Sequence, residues 1–246
     1  MTATLEINQI SFNYGPKKAL DKVTFAIKPG FNVLLGPNGA GKSTLISLLT
    51  RLTKVDSGNI LCDGFDLEKE TAKVMRLFGV VFQQSTLDLD LSIKQNLVYH
   101  GALHGLSAKQ SLSNVMPLLE EFELSSRLGD KVRSLNGGHR RRVELVRALL
   151  HKPKVLLLDE ASVGLDNPSR HMIINYLRQC VRQEGLAVLW TTHLLDEINA
   201  SDYLIMLNQG RVAQQGQVST LLAQYAVNDV QALYAALTDA FAFNKI

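Results

Sequence analysis

The segment GPNGAGKST, Gly36 to Thr44, constrains this chain more than any other stretch. It matches the phosphate-loop pattern G-x-x-x-x-G-K-[ST] and lies between an apolar run and a helical one. Phe31 to Leu35 precede it as a strand, and Leu45, Ile46, Leu48, Leu49 and Leu52 follow it at helical spacing. Gly36, Gly39 and Gly41 permit the tight turn that aims successive backbone N–H groups at phosphate oxygens at a helix start. The loop Gly36, Pro37, Asn38, Gly39, Ala40, Gly41, Lys42, Ser43 and Thr44 is therefore a candidate site for a nucleoside triphosphate. Lys42 would reach the β and γ phosphates as a point charge, and the Ser43 hydroxyl would ligate Mg²⁺.

A chain of 246 residues buries a large core and has room for one domain or two. The net charge is only +3, from 26 Lys and Arg against 23 Asp and Glu, so the composition carries no nucleic-acid footprint and no such partner is expected. Cys62 and Cys180 stand apart without metal-type spacing, which suits structural thiols in a reducing cytosol. The start MTATLEINQI lacks the basic and apolar regions of a secretion signal. No run approaches the ~18 to 20 apolar residues needed to cross a bilayer, so any membrane role is expected to come through a partner.

Strands are expected at Leu5 to Tyr14, Lys22 to Ile27, Phe31 to Leu35, Gly58 to Cys62 and Gly79 to Phe82. From about residue 85 to residue 151 the pattern is helical, opened by S-x-x-Q capping boxes at Ser92 to Gln95 and Ser107 to Gln110. Strand signals return at Val155 to Leu158, Ala187 to Thr191 and Tyr203 to Leu207, as continuous apolar runs suited to burial on both faces. Asn167 and Pro168 read as the N-cap and first residue of a helix reaching about Glu184, and two short helices are expected from Gln217 onward. The expected fold is α/β: a phosphate-loop core (1–84 and 152–216), an N-terminal antiparallel β part, a helical insertion (about 85–151) and a short helical tail (217–246).

Val155 to Glu160 reads VLLLDE, an apolar strand ending in two carboxylates. Alternation points Asp159 and Glu160 different ways. Beside a phosphate loop, Asp159 suits Mg²⁺ or its water shell and Glu160 suits the polarising of an attacking water; alone, the pair could equally cap the next helix. Five further segments then fall in the order of ABC-type ATPase subunits, which the chain resembles over almost its whole length. Tyr14, in FNYG, matches the aromatic that stacks on adenine; otherwise it reads as an edge-strand core residue. Gln83, in VVFQQ, matches the glutamine that senses Mg²⁺ and the attacking water, with Gln84 as the competing choice. LNGGH, Leu135 to His139, matches the signature LSGGQ, which contacts ATP held by the opposite subunit. Asp166, closing SVGLD, matches a loop at the dimer interface, and His193, in LWTTH, matches the switch histidine at the γ phosphate; by itself His193 reads equally as a helix-start residue.

The sequence departs from that family in three places. Asn136 puts an amide where the signature has a hydroxyl, His139 replaces glutamine and would carry charge near phosphate if its pKa rises, and Ala161 stands where proline is usual. Gly137 and Gly138 are retained, so the signature is read as working. Arg140, Arg141 and Arg142 read as a solvated helix face with salt bridges. The resemblance implies ATP and Mg²⁺ as cofactors and a second copy of the chain completing each site in an ATP sandwich. It also implies a separate membrane-spanning permease docked on the insertion near the loop after Gln83, and a cytoplasmic place on the inner face of the membrane. DKVRSLNGGHRRRVELVRALLHKP and STLDLDLSIKQNL look most like the drug-resistance and polymer-export branch, and the roughly thirty residues beyond Gly216 leave no room for the regulatory domain of many sugar importers. Export is the expectation. The alternatives are a soluble single-cassette ATPase, as in cluster assembly, and a subunit that binds nucleotide without hydrolysing it.

Overall fold

The computed structural model describes residues 4–243. The chain begins with two long antiparallel strands, β1 (Leu5–Tyr14) and β2 (Lys17–Ile27), followed by β3 (Gly30–Leu35) and the helix α1 (Lys42–Leu49) that opens directly out of the glycine-rich loop. Next come β4 (Ser57–Cys62), β5 (Phe65–Asp66), the short α2 (Thr71–Met75) and β6 (Phe78–Val81). Three helices follow without an intervening strand: α3 (Ile93–Leu103), α4 (Ala108–Glu121) and α5 (Gly137–Leu149). The chain then alternates again through β7 (Val155–Asp159), α6 (Asn167–Glu184), β8 (Ala187–Thr191), β9 (Tyr203–Asn208) and β10 (Arg211–Gln217), ending in α7 (Val218–Gln224) and α8 (Val230–Phe243).

Two sheets result. One has the order β2-β1-β4-β5; the other has the order β10-β9-β3-β8-β7-β6, in which five strands run parallel and β10 pairs antiparallel to β9. The continuous apolar runs have a physical reason here, because each central strand feeds a different core on each face. On β7, Leu156 and Leu158 join the core shared with α3–α6, while Val155 and Leu157 join the core shared with α1 and the antiparallel sheet. On β8, Val188 and Trp190 divide from Ala187 and Leu189 in the same way. Leu45, Leu48 and Leu49 put α1 between the two sheets. No helix among the described residues is long and apolar enough to cross a membrane.

Both capping boxes form: Ser92 Oγ accepts from Gln95 N at 3.1 Å and Ser107 Oγ accepts from Gln110 N at 3.2 Å, each with the glutamine side chain bonded back. The start of α6 differs by one residue from expectation. Asp166, not Asn167, is the N-cap, its Oδ1 accepting from Ser169 N at 2.9 Å. The sequence offers two adjacent Asx residues, and the extended backbone at Asp166 (φ −68°, ψ 159°) selects the first. The arginines at the head of α5 also depart from a solvated face. Arg141 is 9% exposed and paired with the buried Glu144, while Arg142 donates to Phe122 O and Ser169 Oγ, both at 3.1 Å. Strands β5 and β10 went unforeseen: the first is two residues long, and the second is a polar edge with little burial.

Candidate active site

In an open parallel sheet the carboxyl ends of the strands all point to one edge, and ligands gather there. In this chain the glycine-rich loop follows β3, His193 lies two residues past β8, Asp159 and Glu160 end β7, and Gln83 lies two residues past β6. Because β3, β8, β7 and β6 are consecutive neighbours, these residues form a row along one edge.

At one end of the row the loop turns sharply into α1. Gly41 is the N-cap of α1 in left-handed backbone (φ 108°), and a Cβ there would come within 2.6 Å of Leu20 Cδ2 and 2.9 Å of Ala19 O. Gly36 is likewise held close, since a Cβ would strike the carbonyl oxygen of Leu207. The backbone itself therefore forms the cradle. Lys42 folds over it, Nζ donating to Gly36 O at 2.6 Å and Pro37 O at 3.3 Å. Burial pulls the Lys42 pKa below its usual value, opposed by the negative charges of Glu160 and Asp159. A cavity of about 400 Å³ runs along the loop, lined by Asn38 to Thr44 and by Tyr14, Lys17, Lys18, Ala19, Glu160 and Gln209. Tyr14 is 52% exposed at the cavity, its ring perpendicular to that of Phe12 at 4.8 Å between centroids.

At the other end Glu160 is the hub. Its Oε2 accepts from Gln83 Nε2 at 2.8 Å, and His193 Nδ1 lies 3.5 Å from its Oε1. The bond is made by Gln83 and not by Gln84, and it leaves the Gln83 side-chain Oε1 as a further acceptor. Glu160 sits in left-handed backbone (φ 48°), a conformation that strains a non-glycine residue. Its N–H is pinned by Thr191, donating to the carbonyl oxygen at 3.0 Å and to Oγ1 at 2.9 Å. Thr191 Oγ1 in turn donates to Asp159 Oδ1 at 2.7 Å. One hydroxyl thus holds the Asp159 carboxylate and the Glu160 main chain, while the Glu160 carboxylate meets Gln83 and His193. Burial raises the Asp159 pKa, against the Thr191 bond.

Ser43, Gln83 and Asp159 together offer a hydroxyl, an amide oxygen and a carboxylate, the hard oxygen donors that Mg²⁺ prefers. The phosphate loop offers helix-start N–H groups and an ammonium beside them. The residues present fit a magnesium nucleotide.

Asn136, Gly137, Gly138 and Asp166 do not line this cavity; nor do Gln83, Asp159 and His193, which stand further along the strand-end row and meet it through Glu160. Asn136 is the N-cap of α5; its Oδ1 accepts from His139 N at 2.8 Å and lies 2.6 Å from His139 Nδ1. A charged His139 is not supported, because burial and the positive charges of Arg142 and Arg127 push its pKa down. The segment stands next to the start of α6: a Cβ on Gly138 would lie 3.4 Å from Ser169 Oγ, the same hydroxyl that Arg142 holds. The two helix starts bearing Asn136 and Asp166 are thus neighbours. Two supporting residues escaped the sequence reading. Thr191 sits in the same LWTTH segment as His193, and Arg141 donates to Phe82 O at 2.7 Å and Gln83 O at 3.0 Å, tying α5 to the Gln83 loop. Lys17 and Gln209, also in the lining, carry no sequence signal that separates them from other surface residues.

The ABC transporter family profile matches residues 20–163. The linearmycin resistance ATP-binding protein LnrL of Bacillus subtilis (strain 168) is 34% identical over 240 residues, covering 96% of this chain and 77% of that protein. The Nod factor export ATP-binding protein I of Paraburkholderia xenovorans (strain LB400) is 36% identical over 231 residues, covering 93% of this chain and 75% of that protein. Among solved structures, an ATP-binding subunit of an ABC transporter superposes with a TM-score of 0.87 at 28% identity, covering 96% of this chain and all of that one. With its phosphate loop, its carboxylate pair and its strand order in agreement, the chain belongs to the ABC transporter family as an ATP-binding, ATP-hydrolysing subunit.

Proposed function

We propose that two copies of this chain close head to tail around two Mg²⁺-ATP molecules and drive a separate membrane-spanning permease, in the direction of export. The carrying observation is a division within one chain. Lys42, Ser43, Gln83, Asp159, Glu160 and His193 follow or end the neighbouring strands β3, β8, β7 and β6 and share their carboxyl edge, whereas Asn136 to Gly138 open α5, a helix start that follows no strand of that sheet. A lone copy therefore presents half of a phosphate cage and, elsewhere, an anion-binding helix start suited to another copy's phosphate.

In this reading Tyr14 stacks on adenine, the loop from Gly36 to Thr44 holds the phosphates, and Ser43, Gln83 and Asp159 hold Mg²⁺, which neutralises developing phosphate charge when bound. Glu160 takes the proton of the attacking water, and Gln83 and His193 fix its carboxylate. Asp166 stands at the interface between copies. Contacts from Asn136 to Gly138 exist only in the closed pair, so nucleotide favours closure and its hydrolysis releases it.

Residues 85–151 form the arm that meets the permease in this proposal. On α3 and the loop before it, Tyr99, Leu103 and Leu89 are large apolar side chains exposed by 64%, 67% and 42%. Tyr99 and Leu103 are one helical turn apart, which supports a docking stripe near the Gln83 loop. The name of the Nod factor export protein supports export, and the resistance named for LnrL is consistent with it. The protein is placed by this reading on the cytoplasmic face of the membrane, held there by its permease. The test is purification from membranes in mild detergent: an integral protein with several ~20-residue apolar spans is expected to accompany the chain and to be lost with Leu103→Asp. Purification without any such partner would count against the proposal.

A further inference from the structure

Apart from the strand-end edge, one cluster of metal-ligating side chains stands out among the described residues. His100 is in the last turn of α3, His104 caps the end of that helix, and His151 follows α5 on the way into β7. One ring nitrogen of each lies within 4.8 Å of those of the other two, and all three residues are partly buried. His100 and His104 are spaced i, i+4, which places two imidazoles on one helix face. The His104 and His151 rings stack at 3.6 Å between centroids, with His100 at 4.9 Å and 6.0 Å from them.

We propose that His100, His104 and His151 form a three-imidazole site for a borderline transition-metal ion, Zn²⁺ fitting the donor set best. His151 supplies an independent sign. Its Nε2 lies 2.9 Å from the carbonyl oxygen of Phe78, which only accepts, so Nε2 carries the proton and Nδ1 keeps its lone pair. That Nδ1 is buried and has no partner among the described residues. A ligand histidine whose other nitrogen donates to a backbone carbonyl is the arrangement that fixes tautomer and ring direction in metal sites. Burial also keeps the imidazoles neutral, as ligands must be, with His100 pulled down to about 3 and His151 to about 4.

The surroundings define the ion. No carboxylate belongs to the cluster, so hard cations such as Mg²⁺ have nothing to bind. Arg147 near His100 and Arg76 near His104 are positive; they oppose a bare dication and so favour one that brings an anion as its fourth ligand. Arg147 is held by the Thr86 carbonyl and hydroxyl oxygens. Tetrahedral zinc with bonds of about 2.1 Å requires nitrogens roughly 3.4 Å apart, so the rings must close by about an ångström and give up their stacking. An ion so held would staple α3 to the connection between α5 and β7. This inference does not rest on the transport reading.

The test is Zn²⁺ titration of the full chain in excess Mg²⁺ and ADP, so that hard-oxygen sites are already filled. One equivalent is expected to bind, with X-ray absorption showing nitrogen neighbours at about 2.0–2.1 Å. His104→Ala and His151→Asn are each expected to weaken binding at least about tenfold, while His193→Asn leaves it unchanged. Should His151→Asn misfold through loss of the Phe78 bond, His104→Ala and the absorption spectrum decide. Absence of binding, binding indifferent to His104→Ala, or binding lost with His193→Asn would each overturn the site.

Discussion

Glu160 holds a left-handed backbone that a glycine would occupy more easily, and it keeps that conformation because Thr191 grips its N–H from two oxygens. The strain turns its carboxylate toward Gln83 and His193 while the preceding Asp159 turns to the Thr191 hydroxyl. Asn136 is a different case. Its oxygen is committed to capping α5, so the change from the signature's usual serine keeps the helix start intact. Asparagine and serine are comparable N-caps. Asn136→Ser is therefore expected to fold normally and to preserve or raise ATP turnover, measured as phosphate release; complete loss of turnover would show that this loop meets phosphate through the Asn136 amide itself and not through a capped helix start and its glycines. Asn136→Ala removes the cap and is expected to cost about 1 kcal/mol in denaturant unfolding.

At the scale of elements, α5 connects the signature to the rest of the site. Arg141 and Glu144 form a buried pair on it; Arg141 donates to Phe82 O and Gln83 O, while Glu144 accepts from Thr86 N at 3.0 Å. Both ends of the Gln83 loop are thereby fixed to one helix. Arg141→Met leaves Glu144 buried without its countercharge and is expected to lower unfolding free energy by roughly 3–5 kcal/mol, with a fall in turnover as Gln83 loses its anchor. The insertion helices pack closely for a separate reason. Gly101 on α3 faces Ser111 on α4 so tightly that a Cβ would strike its side chain and come within 3.2 Å of Leu150 Cδ2. Gly101→Ala is expected to destabilise by about 1–3 kcal/mol in the same unfolding measurement, despite alanine's better helix propensity.

For the molecule as a whole, the proposed pairing of two copies makes each site incomplete alone. If each copy finishes its partner's site, the protein without nucleotide is monomeric and Glu160→Gln with Mg²⁺-ATP accumulates as a dimer. Light scattering should show the mass doubling on nucleotide addition, with turnover falling about a hundredfold or more. A tight dimer without nucleotide, or full activity in Glu160→Gln, would contradict this. The sequence by itself determined the phosphate loop, the strands that end at the site and the two capping boxes, because glycine spacing, apolar runs and S-x-x-Q pairs act within a few residues. It named Asp159 and Glu160 because they close such a strand beside a phosphate loop, and His193 through the resemblance of LWTTH to the family's switch segment. Only tertiary structure decided that Gln83 rather than Gln84 meets Glu160, and that Thr191 holds both the Asp159 carboxylate and the Glu160 main chain. It also brought Arg141 inside against the Gln83 loop and gathered His100, His104 and His151. Those outcomes depend on strand order and on contacts between residues far apart in the chain, and no local period in the sequence records which distant groups a fold will bring within hydrogen-bonding distance.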